Sequence, residues 1–178
     1  MCRLIFLEQP KNIGVDARGV WKIFDFGLAK ELKRRDLVQP PDGYNATGVT
    51  GSRRYMSPEV IKSQPYGFSA DVYSYCVLLW EVMALRTPFC GFSREQHETK
   101  VALAGYRPNV PRAWTEDMRT LVSACWAEEP LERWDMVRIC QSLQAQLAKA
   151  NRRTDDNEQE NRHISTRSSY LSSVQTSP

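Results

Sequence analysis

The sequence predicts a mainly α-helical domain with one small β-hairpin near its start, and three observations predict it. Residues 13–24 carry a turn signal between two short β-prone runs. The segment "SADVYSYCVLLWEVMAL" from Ser69 to Leu85 is long and apolar enough to form a central helix. Three further stretches, 93–103, 115–127 and 132–150, are candidate helices to wrap it.

In chain order, "IGVD", "DARG" and "VWKIF" read as strand, turn and strand, because Gly19 can take a positive φ and Val20, Trp21 and Ile23 suit a pleated surface. After Gly27 an irregular stretch is expected to about residue 56, around "QPPDGYNATG". Loops of that length inside a domain are functional or disordered. Ser69 is the expected N-cap of the central helix. That helix carries apolar residues on nearly every face, so it needs cover from its neighbours. Met136, Ile139, Cys140, Leu143 and Leu147 fall on one stripe at helical spacing, which predicts ordinary amphipathic packing. From residue 151 onward "NRRTDDNEQENRHISTRSSYLSSVQTSP" has few apolar residues and predicts a disordered tail. Its serines read either as phosphorylation sites or as a solvated surface.

Composition narrows the function. With 178 residues and 42% apolar content the chain can bury one core, so one soluble domain plus a tail is expected. A net charge of +3, without basic runs interleaved with aromatics, argues against a nucleic-acid groove. Five cysteines without C-x-x-C spacing read as reduced, mostly buried thiols of a cytoplasmic protein. His97 and His163 share no zinc-type spacing and are expected at the surface. Val72 to Leu85, interrupted by Ser74 and Glu81, is too short to cross a bilayer, and "MCRLIFLEQP" is too weakly apolar for a signal peptide. No membrane partner is expected.

The stretch "WKIFDFGLAKEL" sets Asp25 at the end of the second strand, while Asn12 stands just before the first. Folding the hairpin brings the two positions to its open end, since paired strands lie only ~5 Å apart. An amide oxygen and a carboxylate together make a hard site of the kind Mg²⁺ accepts, completed by phosphate oxygens and water. Taken alone, the same residues need only cap a turn and start a strand.

In order, "PKNIG", "FDFGLAK", "GSRRYMSPEV" at 51–60, "SADVYSYCVLLWEV" at 69–82 and "CWAEEPLERW" at 125–134 resemble the C-terminal lobe of eukaryotic protein kinases. The resemblance covers about residues 9–148. It implies an unmatched segment 1–8, a partial kinase domain 9–150 without its N-terminal lobe, and a tail 151–178. By that resemblance Asn12 and Asp25 hold Mg²⁺, and with Phe26 and Gly27 they belong to the ATP site. Residues 28–56 resemble the activation segment. There Thr47 and Thr50 are either phosphorylation sites or plain loop threonines, and Ser52 matches a peptide-docking hydroxyl. Ser57-Pro58-Glu59 departs mildly from the family's Ala-Pro-Glu. The resemblance implies a buried ion pair between Glu59 and Arg133. It also makes Asp71 an anchor for the catalytic-loop backbone, although a first-turn acid favours the helix dipole in any case. "QPKN" is similar to the serine/threonine kinases, and "VLLWEVMALRTPF" with "CWAEEPLERW" to their tyrosine-kinase-like group.

The departures matter as much. Where the family carries His-Arg-Asp, this sequence has Ile5, Phe6 and Leu7, so Leu7 occupies the place of the proton acceptor and no complete catalytic set is present. Gln9 replaces the loop lysine, and neither a Gly-x-Gly-x-x-Gly loop nor a Val-Ala-Ile-Lys strand occurs. Two functions are therefore expected. One is a partial serine/threonine kinase, inactive and weak for ATP and Mg²⁺ as this chain, with a protein substrate and the missing lobe as partners. The other is a stand-alone, pseudokinase-like interaction module. In both, part of the central helix and the hairpin should be exposed.

Overall fold

The computed structural model describes residues 2–4, 12–27, 29–39, 41–45 and 52–154. The chain divides after Met136 into two units. In the first, strands precede helices. Strands β2 (Ile13–Val15) and β3 (Trp21–Ile23) pair antiparallel, with Ile13 opposite Ile23 and Val15 opposite Trp21. Their turn is held by Asp16, whose Oδ1 accepts from the N–H groups of Arg18 (2.9 Å) and Val20 (3.0 Å). Gly19 takes φ 79°, a conformation that costs glycine nothing.

The stretch expected to be irregular contains more order than its composition suggests. Strand β4 (Lys30–Leu32) pairs with β1 (Cys2–Leu4), a 3-10 turn follows at Arg34–Asp36, and β5 (Leu37–Gln39) pairs with β6 (Gly43–Tyr44). The described residues thus hold three two-stranded antiparallel pairs rather than one hairpin. The last is fastened to the helical part, because Tyr44 and Tyr66 exchange backbone hydrogen bonds of 3.1 and 3.2 Å. Such non-local pairing leaves no trace in local composition.

Helix α1 (Pro58–Ile61) starts on a proline, whose fixed φ and missing N–H suit that position, and all four of its residues are buried. The central helix α2 spans Phe68–Ala84. Its cap differs from the expected Ser69. Gly67 occupies the N-cap position without a side chain to offer, and Ser69 lies inside the first turn. The Asp42 carboxylate substitutes from across the fold: Oδ1 accepts from Phe68 N–H at 2.9 Å, and Oδ2 from Ser69 N–H at 2.9 Å and the Ser69 hydroxyl at 2.7 Å. Only glycine fits at 67, since a Cβ there would overlap the Asp42 backbone oxygen. Helix α3 (Arg94–Gln96) opens with a capping box between Ser93 and Gln96 and runs on as π-helical turns over His97–Leu103. Helix α4 (Glu116–Cys125) is capped by Thr115, which accepts from Met118 N–H.

The core forms where α2 packs on α4, and where α1 packs on the π-helical turns. Tyr73, Cys76, Val77, Leu121, Val122 and Cys125 are wholly buried. Cover on α2 stops short of its end, leaving Val82, Met83 and Leu85 exposed, along with Trp21, Ile23, Phe24 and Phe26 of the hairpin region. Of the four cysteines whose burial is described, Cys76 and Cys125 are buried as expected, whereas Cys90 and Cys140 are exposed.

The second unit continues a helix that runs over 136–154, past the residue 151 at which a disordered tail was expected to begin. Its helical hydrogen bonding is indifferent to a drop in apolar content within one turn. Met136, Cys140 and Leu147, three of the expected packed stripe, are exposed. Spacing locates apolar residues on a helix face but does not say what covers them. Residues 155–178 lie outside the described ones.

A buried ion pair joins segments far apart in the chain. The Arg133 guanidinium donates to Glu59 Oε1 at 2.7 Å and Oε2 at 2.8 Å. Its other hydrogens go to the carbonyls of Ala127 (2.9 Å), Ser69 (2.9 Å) and Glu128 (3.2 Å), which uses all five N–H donors. The guanidinium also lies 5.2 Å from the centre of the Tyr73 ring. Burial alone would raise the Glu59 carboxyl, but the hydrogen bonds and charge of Arg133 overcome it and hold Glu59 below the usual carboxylate range.

Arg133→Met should therefore destabilise the protein by ~3 to 5 kcal/mol in urea unfolding, because it strands a buried carboxylate. The contribution of Glu59 is full above the unfolded carboxylate pKa of ~4.3 and lost as pH falls through the lower folded value. Glu59→Gln should accordingly flatten the acid limb of a stability-versus-pH curve. Asp42→Ala should cost ~1 to 2 kcal/mol through the lost cap, and Ser69→Ala less, by the same measurement.

Candidate functional site

The hairpin register decides where the predicted metal ligands lie. Phe24 N–H donates to the Asn12 carbonyl at 3.0 Å, so Asn12 faces Phe24 across the ladder and Asp25 follows directly. Asn12 is buried, whereas Asp25 is open to solvent. Asp25 adopts φ 64°, a left-handed conformation that aspartate tolerates better than most residues but that still costs ~1 kcal/mol. Its Oδ1 accepts from Gly27 N–H at 3.3 Å, closing a small turn over Phe26, whose ring is exposed. In donor type an amide oxygen and a carboxylate both suit Mg²⁺, since both are hard oxygens, and the ladder brings the backbones of Asn12 and Asp25 to the same end of the ribbon. Among the described residues no group of three His, Cys, Asp or Glu side chains forms a cation cage, so any metal here would draw most of its ligands from phosphate and water.

The remaining candidates belong to other elements. Asp71 lies in the first turn of α2, and its charge adds to burial in raising the Tyr66 hydroxyl. Glu59 and Arg133 form the ion pair described above. Ser52 precedes the 3-10 turn Arg53–Tyr55 without capping it through its side chain. Leu7, Thr47 and Thr50 lie outside the described residues, as do Ile5, Phe6, Gln9 and His163.

The turn after Ser52 is fixed to α2. Ser74 Oγ donates to the Tyr55 carbonyl at 2.8 Å, and the Tyr55 hydroxyl donates to Glu81 Oε2 at 2.5 Å. Burial, with the Glu81 carboxylate second, pushes the Tyr55 hydroxyl well above its ordinary range. Beside it opens a cavity of ≈ 530 Å³ lined by Ser52, Arg53, Arg54, Tyr55, Glu81, Phe92, Arg94 and His97. Three of its lining side chains are arginines.

Sequence reasoning missed this cavity and misjudged His97. That residue is buried at 5% exposure, not at the surface, with Nδ1 2.9 Å from the Ser93 carbonyl and the rings of Phe89 and Phe92 each 5.6 Å away. The π-helical turns and the aromatic loop before them enclose it, and neither is visible in spacing alone. The signal that was available is the pair Arg53-Arg54 directly after Ser52.

Among the described residues no helix is long and apolar enough to cross a membrane. Residues 9–143 match the family described as protein tyrosine and serine/threonine kinase. The chain is 31% identical over 155 residues to serine/threonine-protein kinase STY17 of Arabidopsis thaliana, covering 87% of this chain and 25% of that protein. It is 35% identical over 125 residues to serine/threonine-protein kinase VIK of the same plant, covering 69% and 27% respectively. Dual specificity protein kinase pyk3 of Dictyostelium discoideum is 32% identical over 145 residues, or 82% of this chain and 10% of that protein. The chain thus spans about a quarter or less of these relatives. The family consists of phosphotransferases that generally use ATP and Mg²⁺ and act on proteins. With three-quarters of its length matched, the chain belongs to the protein tyrosine and serine/threonine kinase family.

Proposed function

We propose that these residues form the large-lobe part of a serine/threonine kinase domain of the tyrosine-kinase-like group, with the domain running over residues 9–150. In this reading Asn12 and Asp25 hold Mg²⁺ against the phosphates of ATP, Phe26 and Gly27 shape the turn that presents Asp25, and residues 28–56 form the activation segment. Asp71 anchors the catalytic-loop backbone, Ser52 meets the peptide substrate, and Thr47 and Thr50 are the places to look for activating phosphorylation. The observation that carries the reading is the hairpin register, which sets Asn12 opposite Phe24 and leaves Asp25 in a strained left-handed conformation immediately beyond. Strain of that kind collects at functional positions, because a neutral turn would replace the residue with glycine. Magnesium supplies charge neutralisation on the phosphates, and the chain's own part is to hold and orient it.

Leu7 stands where the family places the carboxylate that accepts the hydroxyl proton, and phosphoryl transfer depends on positioning and charge far more than on covalent chemistry. This chain by itself is therefore expected to transfer no phosphate. The exposed apolar residues Trp21, Ile23, Phe24, Phe26, Val82, Met83 and Leu85 favour a second reading, an interaction module that binds another protein through that surface.

Manganese, a paramagnetic substitute for Mg²⁺, tests the metal assignment. It should broaden the amide resonances around Asn12 and Asp25 in the native chain and not in Asp25→Asn, whereas broadening confined to other residues would defeat the assignment. Calorimetric titration with Mg-ATP should give a dissociation constant no tighter than about 1 mM. Micromolar affinity, or phosphate incorporation into a protein substrate, would overturn the inactivity of the isolated chain.

A further inference from the structure

The cavity between the 3-10 turn Arg53–Tyr55, the end of α2 and the start of α3 has a chemistry that the ribbon carrying Asn12 and Asp25 does not explain. Its volume of ≈ 530 Å³ lies within the usual range of ligand sites, ~300 to 1,000 Å³. Its charged lining is three guanidiniums, Arg53, Arg54 and Arg94, against one carboxylate, Glu81. Glu81 already accepts the Tyr55 hydroxyl at 2.5 Å. Just outside the lining, Glu98 accepts from Arg53 at 3.0 Å and from Arg94 Nε at 3.4 Å, which holds those two arginines in place and offsets one of the positive charges. Lys100 stands 5.3 Å from the ring of Phe92, another lining residue, and adds positive potential.

Two atoms of the lining residues lack partners. Arg54 Nε and His97 Nε2 are buried and make no hydrogen bond. The Ser93 carbonyl can only accept, so the proton of a neutral His97 sits on Nδ1 and Nε2 is left as an acceptor. Among the residues that line the cavity there is therefore one unused donor, Arg54 Nε, and one unused acceptor, His97 Nε2. A buried polar atom left unpaired costs ~1 to 3 kcal/mol, so both favour a ligand that satisfies them. A phosphate monoester does so: its anionic oxygens take guanidinium hydrogens, and in its monoanionic form its hydroxyl donates to imidazole. A carboxylate answers the arginines but has no hydrogen for Nε2, and a neutral side chain answers neither the number nor the sign of the charges.

We infer that this cavity binds a phosphorylated side chain of a peptide, so that the domain recognises protein already phosphorylated near the segment it engages. The inference deepens the kinase reading only by taking a peptide as the occupant, and it rests on that reading for this point alone. The cavity opens beside Ser52, the proposed peptide-docking position, and its size accommodates a side chain with adjoining backbone rather than a small free anion.

The test is fluorescence polarisation of a labelled phosphoserine peptide, its unphosphorylated form and its glutamate form, against the whole chain without ATP. The phosphorylated peptide should bind on the order of tenfold tighter than either, as expected for a phosphate monoanion that meets both the guanidiniums and the imidazole acceptor. Arg54→Gln and Arg94→Gln should each weaken it by roughly fivefold, a smaller loss than the whole charge effect. Arg112→Gln, at an exposed site outside the cavity, should leave it unchanged. The Arg94 side chain is 75% exposed, so its replacement leaves the fold intact and keeps the test decisive even if Arg54→Gln is unstable. Equal affinity for the three peptides, an unaffected Arg94→Gln, inorganic phosphate binding as tightly as the phosphopeptide, or binding to anionic lipid vesicles but not to the peptide would each overturn the proposal. The readout needs no turnover and no metal, so failure of the kinase assignment and failure of this one remain separate results.

Discussion

A guanidinium and a carboxylate removed from water together, with every hydrogen of the guanidinium assigned, set the frame on which the helical part of this molecule depends. Glu59 belongs to α1, the Ser69 carbonyl to the first turn of α2, and Ala127, Glu128 and Arg133 to the loop after α4. Any one of these segments could pack in several nearby ways by hydrophobic contact alone. The fork of Arg133 accepts one arrangement, because a displaced acceptor would leave a buried charge partly unpaired. The pair contributes specificity more than raw stability. Tyr73 reinforces it, with Arg107 and Arg133 both set against its ring at 5.1 and 5.2 Å.

What could be read beforehand follows from how local each cause is. The hairpin and its turn were legible because Asp16, Gly19 and the flanking β-prone residues act within a few positions of one another. The extent of α2 was legible to within two residues because a long apolar run has few other outcomes. The cap of α2 was not, since the carboxylate that supplies it is Asp42, and Ser69 looked like the local answer. The β5–β6 pair was hidden for a similar reason, being held in part by Tyr66, which follows α1. His97 misled because a histidine without metal-type spacing reads as a surface residue until the aromatic loop folds over it.

The two candidate regions differ in how much of them could be anticipated. Asp25 and Asn12 were identified from spacing and resemblance, and the ladder explains how a short ribbon aligns their backbones. The arginine cavity has no linear signature beyond Arg53-Arg54, since its other members come from the end of α2 and the beginning of α3. Its positive lining is assembled by the fold, and only the fold leaves a donor and an acceptor there with nothing to bind.

The cap supplied by Asp42 bears on the order in which the molecule assembles. The contact closes a long excursion of the chain, so it cannot form until β5 and β6 have been drawn against the start of α2. A contact that closes a loop of 26 residues pays that closure entropy before it returns any stabilisation, and we place its formation after the rate-limiting step. Weakening this one should then act chiefly on how quickly the native molecule comes apart, leaving the speed of its formation nearly untouched.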